Sequence, residues 1–589
     1  MKESKDNFAN HLGGCDEDSR SAKLRALGRE QHLRAQLDDV RDQLDSILSS
    51  RSWKLTQPWR DATGWVRQRR GGAKKEEPFR PIRSPEDDKG LPGHATADIG
   101  GEHFLTQGRG AWDQAGSAHL AALLRSRTRL SIPRAVECEV SIIVAFYNKA
   151  HLGLLCIEAI LENADVPYEL ILVDNGSTDN TKEMLDRLDG AEIIRNQKNL
   201  GFGLACTQGA EKARGEYLCF LNNDALLQPR SLNAVSADFR EDSSIGAVGG
   251  KILLADGHLQ EAGSIVWNDG SAWGYGRGDD PRLPRYEFRR PVDYCSGAFL
   301  FTPRSLFNEL GGFDARFLPA YYEDIDYCFK VWNKGLRVIY EPRAVIRHYE
   351  SASSETTETA KGPILENRAK FVDKWRLQLE QHLPPAGEHV PYARIAVQAG
   401  GARILYLKDP ACQSVYDSTS IRPDAVVAQL VNEGHHITVA STSPAVDESH
   451  DRSSSTDIEY VDATTAAHYL FRELLSQYDA VWINGQQSMR SLLLHIRDMG
   501  GRIPAIIYEA GVLPVEREAL EAQVADGVTG SIGDAIRSCD AADIVFAKSE
   551  VDRQFLTDKG IRNICVLSPD SITAVAARVA RNTQAARSS

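Results

Sequence analysis

Residues 218–224 read Leu-Cys-Phe-Leu-Asn-Asn-Asp, an apolar run that stops on two amides and an acid. Leu218, Phe220 and Leu221 have the character of a buried strand, so Asn222, Asn223 and Asp224 should emerge together at its carboxyl end, where open α/β sheets bind ligands. A carboxylate placed there can hold a hard divalent cation. Mg2+ or Mn2+ takes only one or two protein carboxylates and completes its shell with phosphate oxygens and water, so a single Asp suffices if a diphosphate is also bound. Asn and Asp also gather at strand ends to make turns. The surrounding sequence weighs between the two readings.

Residues 141–147 form a β-branched apolar run ending at Asn148, and 154–161 then carry apolar residues at helical spacing. Residues 169–173 make a second buried-type strand that ends in Asp174, Asn175, Gly176, Ser177, Thr178 and Asp179, with a helical stretch after it. A short strand at 191–195 leads to Asn199-Leu200-Gly201-Phe202-Gly203 and a helix at 204–213, before the strand that carries Asp224. Such alternation predicts a doubly wound parallel sheet. Further on, Glu323 and Asp324 stand in the first turn of a helix predicted to run to about Asn333, where negative charge is favoured by the helix dipole. His348 ends another apolar strand, as a metal ligand or as an edge histidine holding a loop.

On these motifs the segment from about 140 to about 353 resembles the family 2 glycosyltransferases of the GT-A fold. The Tyr147-Asn148 pair, the Asp174-to-Asp179 run, the 199–203 stretch and the acids at 323–324 each match a family motif. The family's Asp-x-Asp is here Asn222-Asn223-Asp224, a variant seen among members similar to bacterial rhamnosyltransferases, which keeps the last acid and loses the first. The Pro that usually precedes the Tyr-Asn pair is also replaced. The resemblance implies that Asp324 is the general base, that Asp224 and His348 hold a divalent metal (Mn2+ or Mg2+), and that Asp174 binds the nucleobase. It further implies substrate contacts from Tyr147, Asn148, Asn175, Asn199, Gly201, Asn222, Asn223, Gly297 and Glu323. A carboxylate base suits a hydroxyl acceptor, which must lose a proton as it attacks the anomeric carbon. Trp267 and Trp273 stand in an insertion rich in Gly, Trp, Tyr and Arg, to stack on sugar rings or to fill a satellite core.

The 589 residues leave room for more. Residues 1–75 show a short heptad seam at Leu33, Leu37, Val40, Leu44 and Ile47, then Trp53, Trp59 and Trp65 interleaved with basic residues. We expect a coiled coil that dimerises the chain or an amphipathic helix on its surface, with peripheral contact to an anionic membrane as a further reading. Residues 76–138 read as a linker with one helix near 119–125, 139–385 as the GT-A domain with a trailing helix, and 400–589 as a second Rossmann-like α/β domain. That last unit resembles the amino-terminal half of GT-B glycosyltransferases, without the half that would carry the nucleotide-sugar site. There is no apolar run long enough to span a bilayer, no signal peptide, and ten cysteines without a CxxC pair, so the expected setting is cytoplasmic and reducing. A net charge of −13 gives no reason to expect nucleic acid as a partner. The expected partners are a UDP- or dTDP-sugar donor and a glycan or lipid-linked glycan acceptor, the product a surface polysaccharide or glycoconjugate. The other reading is a noncatalytic carbohydrate-binding or scaffold protein on a degenerate transferase fold, which has no chemical need to retain Asp224, Asp324 and His348 together.

Overall fold

The computed structural model describes residues 108–133, 135–350, 357–408, 421–441, 457–461, 475–485, 488–489, 492–493, 504–510 and 538–587. The expected amino-terminal coiled coil, the Trp-containing basic segment and the first part of the linker lie outside these residues.

The strand runs fold where their apolar character demands burial on both faces. β1 (Val140–Phe146), β2 (Tyr168–Asp174) and β3 (Glu192–Arg195) pair in parallel, and β1 also pairs in parallel with β4 (Tyr217–Asn222). Beyond β4 the pattern changes. β5 (Ala225–Leu227), β6 (Ile245–Leu254), β7 (Leu259–Ala262), β8 (Phe299–Pro303) and β9 (Arg337–His348) extend the sheet, with β8 antiparallel to both β4 and β6. β9 runs parallel to β6 and antiparallel to β5, and β7 returns antiparallel on β6. The central order is β9-β6-β8-β4-β1-β2-β3, a mixed sheet rather than the all-parallel one expected. The strand-helix alternation on which that expectation rested ends at β4. Only β6 and β7 are joined by a short turn; β8 and β9 return over long connections to pair antiparallel with β4 and β5.

Helices cover the sheet: α1 (Arg109–Arg125), α2 (Ala150–Asn163), α3 (Phe202–Lys212), α4 (Ser231–Glu241), α5 (Glu323–Asn333) and α6 (Thr357–Lys374). α1, 17 residues long, lies in the stretch read as linker and extends the one helix expected near 119–125 toward its amino-terminal side. Trp112, fully buried, packs with Leu152 and Leu155 of α2 and with Leu226 and Ala255, and its ring lies 6.3 Å from that of Tyr349. Behind α5, Phe371 of α6 and the following Trp375 join Phe317, Tyr322, Ile325 and Phe329 in one cluster.

A second sheet follows from β10 (Arg403–Lys408) through β11 (His436–Ser441), β12 (Ile458–Val461), β13 (Ala480–Asn484), β14 (Ala505–Ala510), β15 (Ile544–Ala547) and β16 (Ile564–Val566). All seven strands are parallel, in the order β12-β11-β10-β13-β14-β15-β16, so the order reverses between β10 and β13.

Candidate active site

The carboxyl ends of β1, β2 and β4 bring the motif residues together. Asp224, just past β4, and His348, the last residue of β9, are both buried and meet at 3.0 Å between Oδ1 and Nε2. Backbone pairing fixes this encounter, because His348 stands opposite Ala225 in the β9–β5 ladder. The Asn222 side-chain nitrogen lies 3.2 Å from the same Nε2, and His348 Nδ1 lies 2.9 Å from Gln260 Oε1. Burial works to lower the His348 pKa, yet the Asp224 charge and hydrogen bond leave it raised. Asn223 donates to the Asn148 carbonyl at 3.2 Å and so ties β4 to the loop after β1.

That loop and the one after β2 are laced together. The Asn148 amide donates to Ser177 Oγ at 2.9 Å, and its side-chain oxygen accepts from the Thr178 amide at 2.8 Å. Tyr147 is exposed at the rim. Buried Asp174 accepts from the Ser177 amide at 3.0 Å, and its other oxygen lies 3.8 Å from Arg195. Asn175 is held at both ends of its amide. Its side-chain nitrogen donates to Asn199 Oδ1 at 2.9 Å and to the Gly201 carbonyl at 3.3 Å, while its oxygen accepts from Asn196 at 3.0 Å and from the Leu200 amide at 3.1 Å. All four hydrogen-bonding positions of the amide are taken, so the Asn175 side chain braces two loops. Asn199 Oδ1, which also accepts from the Gly201 amide at 2.8 Å, belongs to the same brace. Gly201 has φ +90°, and a Cβ there would sit 2.4 Å from the Pro319 carbonyl oxygen, so glycine is required where this loop crosses the segment leading to α5.

Asp324 in the first turn of α5 accepts from the Gly297 amide at 2.9 Å and from the Ile325 amide at 2.8 Å. The neighbouring Ala298 carbonyl accepts from the Asn222 amide at 3.1 Å, so two short steps of backbone join Asp324 to the strand end bearing Asp224. Burial raises the Asp324 pKa, against these two amide donors. Glu323 is buried more deeply, its Oε2 has no partner among the described residues, and burial followed by the Asp324 charge pushes its pKa well up. Glu323, the substrate contact expected from the resemblance, is thus a buried acid beside Asp324. Asp326 is fully buried between Trp375, 2.8 Å away, and Lys374, 2.7 Å away, on the far side of the helix.

Two residues escaped the motif reading. Gln260 and Glu261 are adjacent and both buried on β7. Glu261 accepts from Ser264 Oγ at 3.1 Å and from the Ser296 amide, and burial, with the Asp324 charge adding, lifts its pKa to about 7. Their one sequence signal is a polar pair inside the short apolar stretch 259–262. Of the seven non-glycine residues with positive φ among those described, Asn148, Lys149, Tyr321, Tyr322 and Glu350 flank this site, a concentration of backbone strain typical of functional loops. Trp267 is fully buried beneath Trp273, which is exposed.

The donor set suits a divalent cation. Asp224 Oδ1 and His348 Nε2, 3.0 Å apart, set a carboxylate oxygen beside an imidazole nitrogen, donor types that such a cation would take. No group of three or more His, Cys, Asp or Glu able to hold a metal occurs among the described residues, so the remaining ligands would come from a bound diphosphate and water.

Residues 141–307 match the family described as Glycosyl transferase family 2. The chain carries a family 2 glycosyltransferase domain. The match takes in Asp174 and Asp224 and ends before Asp324 and His348. Over 270 residues the chain is 29% identical to the O-antigen biosynthesis protein RfbC of Myxococcus xanthus, covering 43% of this chain and 20% of that one. Over 218 residues it is 27% identical to the N-acetylglucosaminyl-diphospho-decaprenol L-rhamnosyltransferase of Mycobacterium tuberculosis, covering 32% of this chain and 68% of that one. The chain thus spans a fifth of the length of the Myxococcus relative. Among solved structures, GalNAc-T7 with UDP, GalNAc and Mn2+ is a distant likeness, with a TM-score of 0.37 and 16% identity over 52% of this chain and 67% of that chain. Among the described residues no helix is long and apolar enough to cross a membrane.

Proposed function

We propose that this chain is an inverting, metal-dependent glycosyltransferase of GT-A type. It moves a sugar from a UDP- or dTDP-linked donor to a hydroxyl of a surface polysaccharide or a lipid-linked glycan. The observation that carries the reading is the 3.0 Å pair of Asp224 and His348, two backbone steps from the Gly297 amide that holds Asp324, within a family 2 domain. Asp174 takes the nucleobase at the end of β2. Asp224 and His348 would hold Mn2+ or Mg2+, which would supply charge neutralisation for the departing diphosphate. Asp324 receives the proton of the acceptor hydroxyl as that oxygen attacks the anomeric carbon, and its raised pKa makes it a better base than an exposed Asp. The rhamnosyl and O-antigen relatives support a bacterial glycan as acceptor. We read the second sheet as a Rossmann-like module resembling half of a GT-B enzyme that faces the acceptor, and the setting as cytoplasmic.

The test is a screen of nucleotide sugars for metal-dependent release of nucleoside diphosphate by the full chain. Turnover with at least one donor is expected, abolished by chelator and by Asp224→Ala in a protein of unchanged fold. Full activity in excess chelator would end the metal-dependent reading, and no turnover with any donor would favour a scaffold.

A further inference from the structure

We infer that Gln260 is a positioning residue for the metal-binding pair, aimed at His348 by a β-bulge. The inference rests on the metal-dependent reading above.

The bulge is visible in the pairing of β7 with β6. Ala262 stands opposite Lys251 and Glu261 opposite Ile252, but the next residue, Leu253, stands opposite Leu259. Gln260 is the extra residue. In a regular strand neighbouring side chains point to opposite faces, so Gln260 and Glu261 could not both reach the same site. An inserted residue bends the strand and re-aims a side chain, and bulges recur beside active sites for that reason. Here the result is that Glu261 reaches Ser264 and the Ser296 amide while Gln260 reaches His348.

What Gln260 does there follows from donor and acceptor chemistry. A carboxamide oxygen only accepts, so the 2.9 Å contact from Gln260 Oε1 requires the proton on His348 Nδ1, in the neutral ring and in the charged one alike. In the metal-free pair Nε2 donates to Asp224 Oδ1 at 3.0 Å, and with Nδ1 committed to Gln260 it is Nε2 that faces the place of a cation. The β9–β5 ladder fixes the backbone of His348, and Gln260 fixes the rotation and tautomer of its ring. An outer partner of this kind orients a ligating imidazole and raises its affinity for metal.

The alternative is that Gln260 merely satisfies a buried histidine. Two measurements on the full chain separate these. First, long-range 1H–15N NMR of the wild type without metal should show His348 protonated at Nδ1; a bare Nδ1 overturns the inference. Second, titration with Mn2+ alone, followed by the loss of free-ion EPR signal, should show that Gln260→Met weakens binding by about 10- to 100-fold. Gln260→Glu, which keeps an acceptor oxygen for the same N–H, should stay close to the wild type. A merely structural role predicts a lower Tm for Gln260→Met with unchanged Mn2+ affinity, and that result overturns the inference while leaving the metal site standing. Should Gln260→Met fail to fold, a folded Gln260→Glu that has lost Mn2+ would overturn it equally. A wild type with no affinity for Mn2+ overturns both this inference and the metal-dependent reading.

Discussion

Asp324 is pulled two ways, by burial that disfavours its charge and by two amide donors that favour it, and burial prevails. A base must be unprotonated to act. On the proposed role as base, its raised pKa predicts that kcat/KM climbs with pH along an acid limb whose midpoint lies above the ordinary range of an aspartate. Asp324→Asn keeps the shape and an oxygen for the Gly297 amide but cannot take a proton, so transfer should fall by about 100-fold or more while donor affinity and Tm hold. If Asp324 served only to start α5, the same variant would transfer at nearly the wild-type rate, since Asn keeps an oxygen for the Gly297 amide. Glu261 makes a different prediction, about stability. Its pKa is near 7 in the folded chain and near 4.5 when unfolded, so the stability it contributes is full below about 4.5 and is lost as pH rises through 7. Glu261→Gln should accordingly gain on the wild type at pH 8, by up to about 3 kcal/mol, with little difference at pH 4.5. Denaturant melts of both proteins at the two pH values check this.

At the scale of elements, α1 is a structural part of the transferase domain. Asp113 on α1 lies 3.0 Å from His151 Nε2 at the start of α2 and accepts from the Tyr349 hydroxyl at 2.8 Å, so one side chain ties the start of α2 to the residue following His348. Trp112 beside it is fully buried. Trp112→Ala should cost about 3–5 kcal/mol of stability, measured by denaturant unfolding, because it empties a large volume between α1 and α2. A cost under 1 kcal/mol would return this stretch to the linker it resembles in sequence. α5 is placed with similar economy of parts: α6 packs its aromatic face behind it, and Gly201 allows the loop before α3 to cross tightly against Pro319.

At the scale of the molecule, the second α/β unit is joined to the first through buried charge. Arg394 and Glu459 form a two-pronged pair at 2.8 and 2.6 Å, with Thr438 donating to the same carboxylate at 2.7 Å. Nearby, Arg289 bridges Asp238 of α4, at 2.8 Å, and Asp457. Removing one partner strands the other, so Glu459→Ala should cost about 3–5 kcal/mol, whereas replacing Arg394 and Glu459 together by Met and Leu should be close to neutral. By the same reasoning a chain cut before residue 400 leaves Arg394 without its carboxylate, and donor turnover is better assayed on the full chain. Additive effects of the two single substitutions would mean that the pair does not couple the units.

Sequence alone determined the strands at 140–146, 168–174 and 217–222 and the polar residues at their ends. A strand buried on both faces must be an apolar run, and its end is marked wherever polar residues begin, so the signal is local. The same holds for Asp224 and Asp324 as candidate acids. Sequence could not show that the sheet turns mixed after β4, because pairing direction depends on where the chain returns. That His348 meets Asp224 across 124 residues was implied by the family resemblance, and the β9–β5 ladder is what creates the encounter. Asn175 and Glu323 carry motif identities, yet tertiary packing consumed the hydrogen bonds of the first and buried the second. Gln260 had no motif at all. Its place depends on a single unpaired residue in a strand, and a bulge exists only once two strands are side by side.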